Sequence, residues 1–148
     1  MSMTATALAA EINNDPKALG YAVPKLAGSD IGVANIVNST YAGVGTVWRT
    51  NVKAAEILAA ITLSEINATF SATNWAALSA ILTPLVVDAS NAVIRGWFVT
   101  LFPSALYPTT NAALVTTAKV AAPSRAEELW GAGTLISATD VAHALGRG

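Results

Sequence analysis

His143 follows Asp140 by three residues, a spacing that on a helix puts an imidazole and a carboxylate on one face. Such a pair could open a general acid/base or metal site. Zinc, however, asks for three or four ligands, and the chain has no cysteine and no second histidine to complete a set. A Ser-His-Asp hydrolase would need its serine on a G-x-S-x-G elbow, which does not occur. Glu127 and Glu128 are adjacent, so on a helix they point about 100° apart and cannot act as facing carboxylates. Gly43-Val44-Gly45 has no following Lys-Ser or Lys-Thr at phosphate-loop spacing and reads as a turn or flexible arm. Catalytic, cofactor-binding and metal-binding residues are therefore not nominated, and the expectation is a protein that is not an enzyme and needs no cofactor.

The same residues have a clear use as helix punctuation. Ser124 and Glu127 stand in the S-x-x-E relation of a capping box, in which each side chain satisfies the other residue's backbone N–H at a helix start. Ser137 and Asp140 repeat the pattern as S-x-x-D, while Gly131 and Gly146 sit where helix stops are expected. Two capped helices joined by a short turn predict a C-terminal helical hairpin. Arg125, in the first turn after Ser124, is a candidate for a subunit-bridging ion pair.

Upstream, Leu8 and Ile12 lie one turn apart in a helix over 4–14, which Asn13-Asn14-Asp15-Pro16 stops. Residues 21–29 read as irregular, and Asp30 is placed to cap a short helix carrying Ile31, Val33, Ile36 and Val37. Val44, Val47, Trp48, Thr50 and Val52 are the one β-type cluster, predicting either an extended arm or a short β segment near 41–52. Asn51 precedes an Ala-rich helix with Ile57, Leu58 and Ile61. Trp75, Leu78, Leu82 and Leu85 follow three-four spacing on a helix beginning near Asn74 and ended or kinked by Pro84. Ser90 and Asn91 announce a helix with Ile94, Trp97, Phe98, Leu101 and Phe102 on a wide apolar face. Thr109 or Thr110 caps another through Leu114 and Val115. The fold class is mainly α: one domain over 1–148, built of short helices around a single core.

Composition narrows the function. Hydrophobic residues make up 53% of the 148 and charged ones only 11%, against about 25% charged in ordinary soluble domains. A surface so poor in charge is expected to be hidden partly against other subunits, so a homo-oligomer is predicted. The eight basic and nine acidic residues are scattered, without the basic stripe that phosphate backbones require, so no direct nucleic-acid partner is expected. No basic leader opens the chain, and the charge-free stretches 66–87 and 96–118 are broken by polar residues or prolines, so a membrane partner is not expected. Asn38-Ser39-Thr40 and Asn67-Ala68-Thr69 match the glycosylation sequon, which carries little meaning without a secretory leader. Of the four tryptophans, Trp75 and Trp97 lie on apolar stripes and read as core, whereas Trp48 and Trp130 are the interface candidates.

The run from Ser124 to Thr134, SRAEELWGAGT, followed by Asp140-Val141-Ala142-His143-Ala144-Leu145, resembles a family of small proteins encoded among the virion structural genes of tailed bacteriophages. Glu11-Ile12-Asn13-Asn14-Asp15-Pro16 with Leu19-Gly20-Tyr21-Ala22 is similar to that family's usual start, and Ile36-Val37-Asn38 stands where its members commonly carry Leu-Leu-Asn. Residues 41–73 are only loosely similar. The resemblance implies a non-enzymatic virion protein, made in the host bacterial cytoplasm and placed at the head-to-tail neck or in the tail, with further copies of itself and neighbouring virion proteins as partners. A capsid decoration protein is the alternative in the same class, and a membrane-active lysis or ejection protein the alternative from another.

Overall fold

The computed structural model describes residues 2–67 and 69–148, and the sequon at Asn67-Ala68-Thr69 falls partly outside them. The chain is mainly helical, with one small antiparallel sheet of two strands among the described residues. It divides into two compact units: unit 1 holds residues 1–47 and 122–148, and unit 2 holds 48–121. Where chain length alone suggests one core, the buried apolar residues gather into two clusters, one in each unit.

Unit 1 contains α1 (Ala5–Asn14), α2 (Ala22–Leu26), α3 (Asp30–Val37), α9 (Arg125–Trp130) and α10 (Ala138–Ala144). Thr4 caps α1 by accepting from the Ala7 N–H, and Leu8 and Ile12 turn inward as the spacing predicts. Asp15 ends α1 in the left-handed region, and its carboxylate accepts from the Leu19 and Gly20 N–H groups at 2.6 and 2.9 Å. The stretch expected to be irregular holds α2, a short helix on which Val23 and Leu26 stay exposed. Ser29, not Asp30, caps α3, its hydroxyl accepting from the Gly32 N–H three residues further on at 3.1 Å. Asp30 instead pairs with Arg147 at 2.6 Å. Tyr21, Val33, Val37, Ala126, Ile136 and Val141 close the core. Helix α10 packs chiefly on α3 and α1 rather than back on α9, so the two capped helices do not form the expected hairpin. Gly131 adopts φ +102° at the end of α9, which breaks the direction of the chain and hands α10 to those other partners.

Unit 2 contains β1 (Val52–Lys53), α4 (Ala54–Ala60), α5 (Leu63–Ile66), α6 (Ala72–Leu82), β2 (Val86–Val87), α7 (Ala92–Leu101) and α8 (Pro108–Ala118). Val52 pairs with Val87 and Lys53 with Val86 in the sheet. Its core includes an aromatic group in which Phe70 stacks on Phe102 at 4.9 Å and Tyr107 meets both rings edge-on. Ser71 caps α6 three residues ahead of Asn74, and Asn91 caps α7. Neither Thr109 nor Thr110 caps α8. The helix starts at Pro108, and the Glu65 carboxylate on α5 accepts from both threonine N–H groups, at 2.8 and 2.7 Å. Thr110 is buried with its hydroxyl accepting from the Thr62 N–H, so it has no freedom to cap its own helix.

The segment 41–52 is a chain crossing and not a free arm. Its first part is held in unit 1, and from Trp48 onward it belongs to unit 2, where Trp48 bridges Lys119 antiparallel and the Arg49 N–H donates to the Ala118 carbonyl at 2.8 Å. The β-type residues at Trp48 and Val52 serve this short pairing and the sheet beside it. Unit 2 therefore begins and ends on neighbouring stretches of chain, the arrangement expected of an insertion in a surface loop.

Candidate functional site

Unit 1 is organised around Arg125. The first turn of α9 aims its guanidinium inward, where Nε and Nη2 donate to the two Glu11 oxygens at 2.8 Å each and Nη1 donates to Glu128 at 2.6 Å. Arg125 is 6% exposed and Glu11 7%. Tyr21 donates its hydroxyl to Glu11 at 3.2 Å, Tyr41 donates to Glu128, and the Gly45 N–H donates to the other Glu128 oxygen at 3.0 Å. Six residues drawn from distant parts of the sequence thus share two carboxylates and one guanidinium.

The electrostatics follow from that geometry. The Glu11 bonds hold the Arg125 guanidinium even more firmly protonated than usual, against the cost of its burial. Burial and the adjacent Glu11 carboxylate push the Tyr21 phenol well above its ordinary value, and burial with the Glu128 bond raises Tyr41 too. Burial opposes ionisation of Glu128, but the hydrogen bonds from Tyr41 and Arg125 prevail and its carboxyl lies below the usual range. Both carboxylates already accept from several donors, and both phenols are held protonated. The centre suits a structural lock.

Arg125, expected at a subunit boundary, thus spends its donors inside its own chain. Helix α9 keeps Ser124 and Glu127 as a closed capping box, with the Glu127 N–H on the Ser124 hydroxyl at 3.1 Å and the Ser124 N–H on the Glu127 carboxylate at 3.0 Å. Ser137 and Asp140 close the second box on α10 at 3.1 and 2.8 Å. Gly146 takes φ +69° just beyond that helix. His143 is exposed in the last turn of α10, where a cation would complement the helix dipole. Among the described residues no group of three or more His, Cys, Asp or Glu side chains is arranged to hold a metal.

The tryptophans are distributed differently from the stripe-based expectation. Trp48 is half-buried in unit 2, with the Arg95 guanidinium 4.5 Å and the Lys119 ammonium 5.4 Å from its ring centre. Trp130 is half-buried against the unit 1 core. Trp75 and Trp97, read as core, are 43% and 48% exposed. Three-four spacing defines a stripe but not its inner edge: Leu78 and Leu82 bury on α6, and Leu101 buries on α7 with Phe98 packed beside the core, while each tryptophan sits at the margin. Trp75 still rests edge-on to Phe70 at 5.0 Å. Val93 and Trp97, one turn apart, leave α7 with an apolar outer face around Gly96.

One contact had no signal in the sequence. The Asn38 side chain accepts from the Ile136 N–H at 2.9 Å and donates to the Ile136 carbonyl at 2.7 Å, replacing a strand neighbour for the segment that leads into α10. A half-buried amide of this sort has no local spacing rule, because its partner lies 98 residues away. Glu11, Tyr21, Asn38 and Arg125 are among the internal ties of unit 1. Set against known proteins, the chain matches no family model, no curated protein and no solved structure.

Proposed function

We propose that this protein is a non-enzymatic structural component of a tailed-phage virion, at the head-to-tail neck or in the tail, acting by packing against further copies of itself and neighbouring virion proteins. The observation that carries this reading is the exposed apolar side chains on a charge-poor chain: Leu106 is 62% exposed, Leu85 71%, Val93 60% and Trp97 48%. Large aromatic and aliphatic groups left in water are characteristic of surfaces that become buried on assembly. Charge reinforces the argument, since Arg49, Arg125 and Arg147 each spend their guanidinium on carboxylates of the same chain, leaving little ionic surface to keep copies apart. The resemblance of the unit 1 residues to virion proteins points the same way.

The test combines purified particles with the isolated chain. Quantitative mass spectrometry of virions should find the protein at neck or tail copy number, and light scattering should find the isolated chain as an oligomer that Trp97→Glu disperses without loss of helicity. A copy number matching the capsid shell would move the assignment to a decoration protein. Absence from finished particles, with a monomer in solution, would end the proposal.

A further inference from the structure

Unit 2 contains a half-open apolar pocket of about 190 Å³ that neither the Arg125 centre nor the outer face of α7 uses. A dry cavity of ~150 Å³ accepts benzene, so the space suits one aromatic ring or a short alkyl chain. Val52, Ile57, Phe98, Leu114 and Val115 supply apolar walls, and Trp48 and Arg95 also line it.

The placement of charge gives the pocket a preference. Among the described residues, three of the four arginines are paired with a carboxylate, and the exception is Arg95, the one that lines this pocket. Its Nη1 donates to the carbonyls of Ala89 and Ser90 at 2.6 and 2.7 Å, which fixes the guanidinium and leaves Nε and Nη2 with no protein acceptor among the described residues. Lys119 shares the Trp48 ring with Arg95 and likewise has no carboxylate within salt-bridge reach among those residues. Lys119 lines a neighbouring hollow and not this pocket, so Arg95 is the cation at its wall. A guanidinium without a counterion favours an anion, and one already oriented by two carbonyls loses little freedom in binding it.

We propose that this pocket is a binding site for a small anionic amphiphile: an aryl or short alkyl group seated against Phe98 and Leu114, with its carboxylate reached by Arg95. Apolar burial supplies a base affinity that any isostere shares, and Arg95 supplies the preference for the acid.

Calorimetric titration of the full chain with 3-phenylpropionate, 3-phenylpropan-1-ol and 2-phenylethylammonium tests this directly. The acid should bind at one site, about tenfold or more tighter than the alcohol, with the ammonium weakest. Arg95→Gln should bring the acid close to the alcohol while leaving the alcohol's own binding unchanged. Leu114→Trp, which fills the space, should abolish both; where its circular dichroism departs from the parent, Val115→Phe provides the same block from the adjacent wall. Equal binding of acid and alcohol, binding indifferent to a filled pocket in a folded variant, or no saturable heat from any probe up to its solubility limit would each overturn the proposal.

Discussion

Arg125 illustrates how one residue is read differently in one and in three dimensions. As a first-turn arginine it is a candidate for reaching a neighbour, but the turn that carries it faces Glu11, 114 residues earlier in the chain. Bidentate pairing with one acid and a third bond to another neutralises a charge that would otherwise be prohibitively costly at this depth. Removing one partner leaves the other charged and dry, so Arg125→Met and Glu11→Gln should each lower unfolding stability by about 3–5 kcal/mol in urea titrations. Arg125→Lys should fall between parent and Arg125→Met, because an ammonium cannot span both carboxylates in the same plane. Gly45 belongs to the same network: a Cβ there would stand 3.0 Å from the Glu128 oxygen that its N–H now holds. Gly45→Val should therefore loosen the crossing segment, seen as faster amide exchange around Tyr41, with less effect than loss of Arg125.

Among the elements, the capping of α8 separates local from long-range control. Its cap is expected at Thr109 or Thr110, two or three residues beyond the Tyr107 that precedes the helix, and the group that satisfies its first N–H donors comes from Glu65 on another helix. Partial burial opposes the Glu65 charge, and the Thr110 and Thr109 N–H groups outweigh that and hold its carboxyl at about 2. A carboxyl whose folded value lies below its unfolded value of about 4.5 stabilises the fold fully above that value and loses the contribution as pH falls toward 2. Glu128 and Asp140 are shifted in the same direction. Thermal stability should accordingly drop between about pH 5 and pH 2, and Glu65→Gln should flatten part of that dependence in differential scanning calorimetry. The turn after α1 offers a contrasting test of backbone strain: Ala18 sits at φ +54°. Ala18→Gly should keep or raise the melting temperature, and Ala18→Val should lower stability by roughly 1 kcal/mol or more, because a β-branched side chain tolerates that region least.

For the whole molecule, the governing quantity is the small share of charge, 11% of 148 residues. Each unit buries its own apolar cluster, yet Leu26 and Leu135 in unit 1 and Leu63, Leu85 and Leu106 in unit 2 remain in water. Association driven by such groups is entropic near room temperature and is not screened by salt. Apolar burial also weakens on cooling and strengthens in salts that are excluded from protein surfaces. Sedimentation should therefore show the assembled fraction falling on cooling from about 25 to about 4 °C and rising in ammonium sulfate. Dispersal by simple sodium chloride would point instead to ionic contacts.

What was legible in the sequence is what depends on neighbours within a few residues. Both capping boxes, the stop signals Gly131 and Gly146, the helix starts at Thr4 and Asn91 and the mainly α class all follow from spacing, because an N-cap and its donor lie three residues apart or less. Tertiary structure decided everything in which partners are distant: the division of the core into two clusters, the burial of Arg125 on Glu11, the Asn38 clamp on Ile136, the cap that Glu65 lends to α8, and the outward turn of Trp75 and Trp97. An apolar stripe states that a helix has an inner side, but which edge of the stripe meets water depends on the elements packed against it, and no spacing rule encodes those.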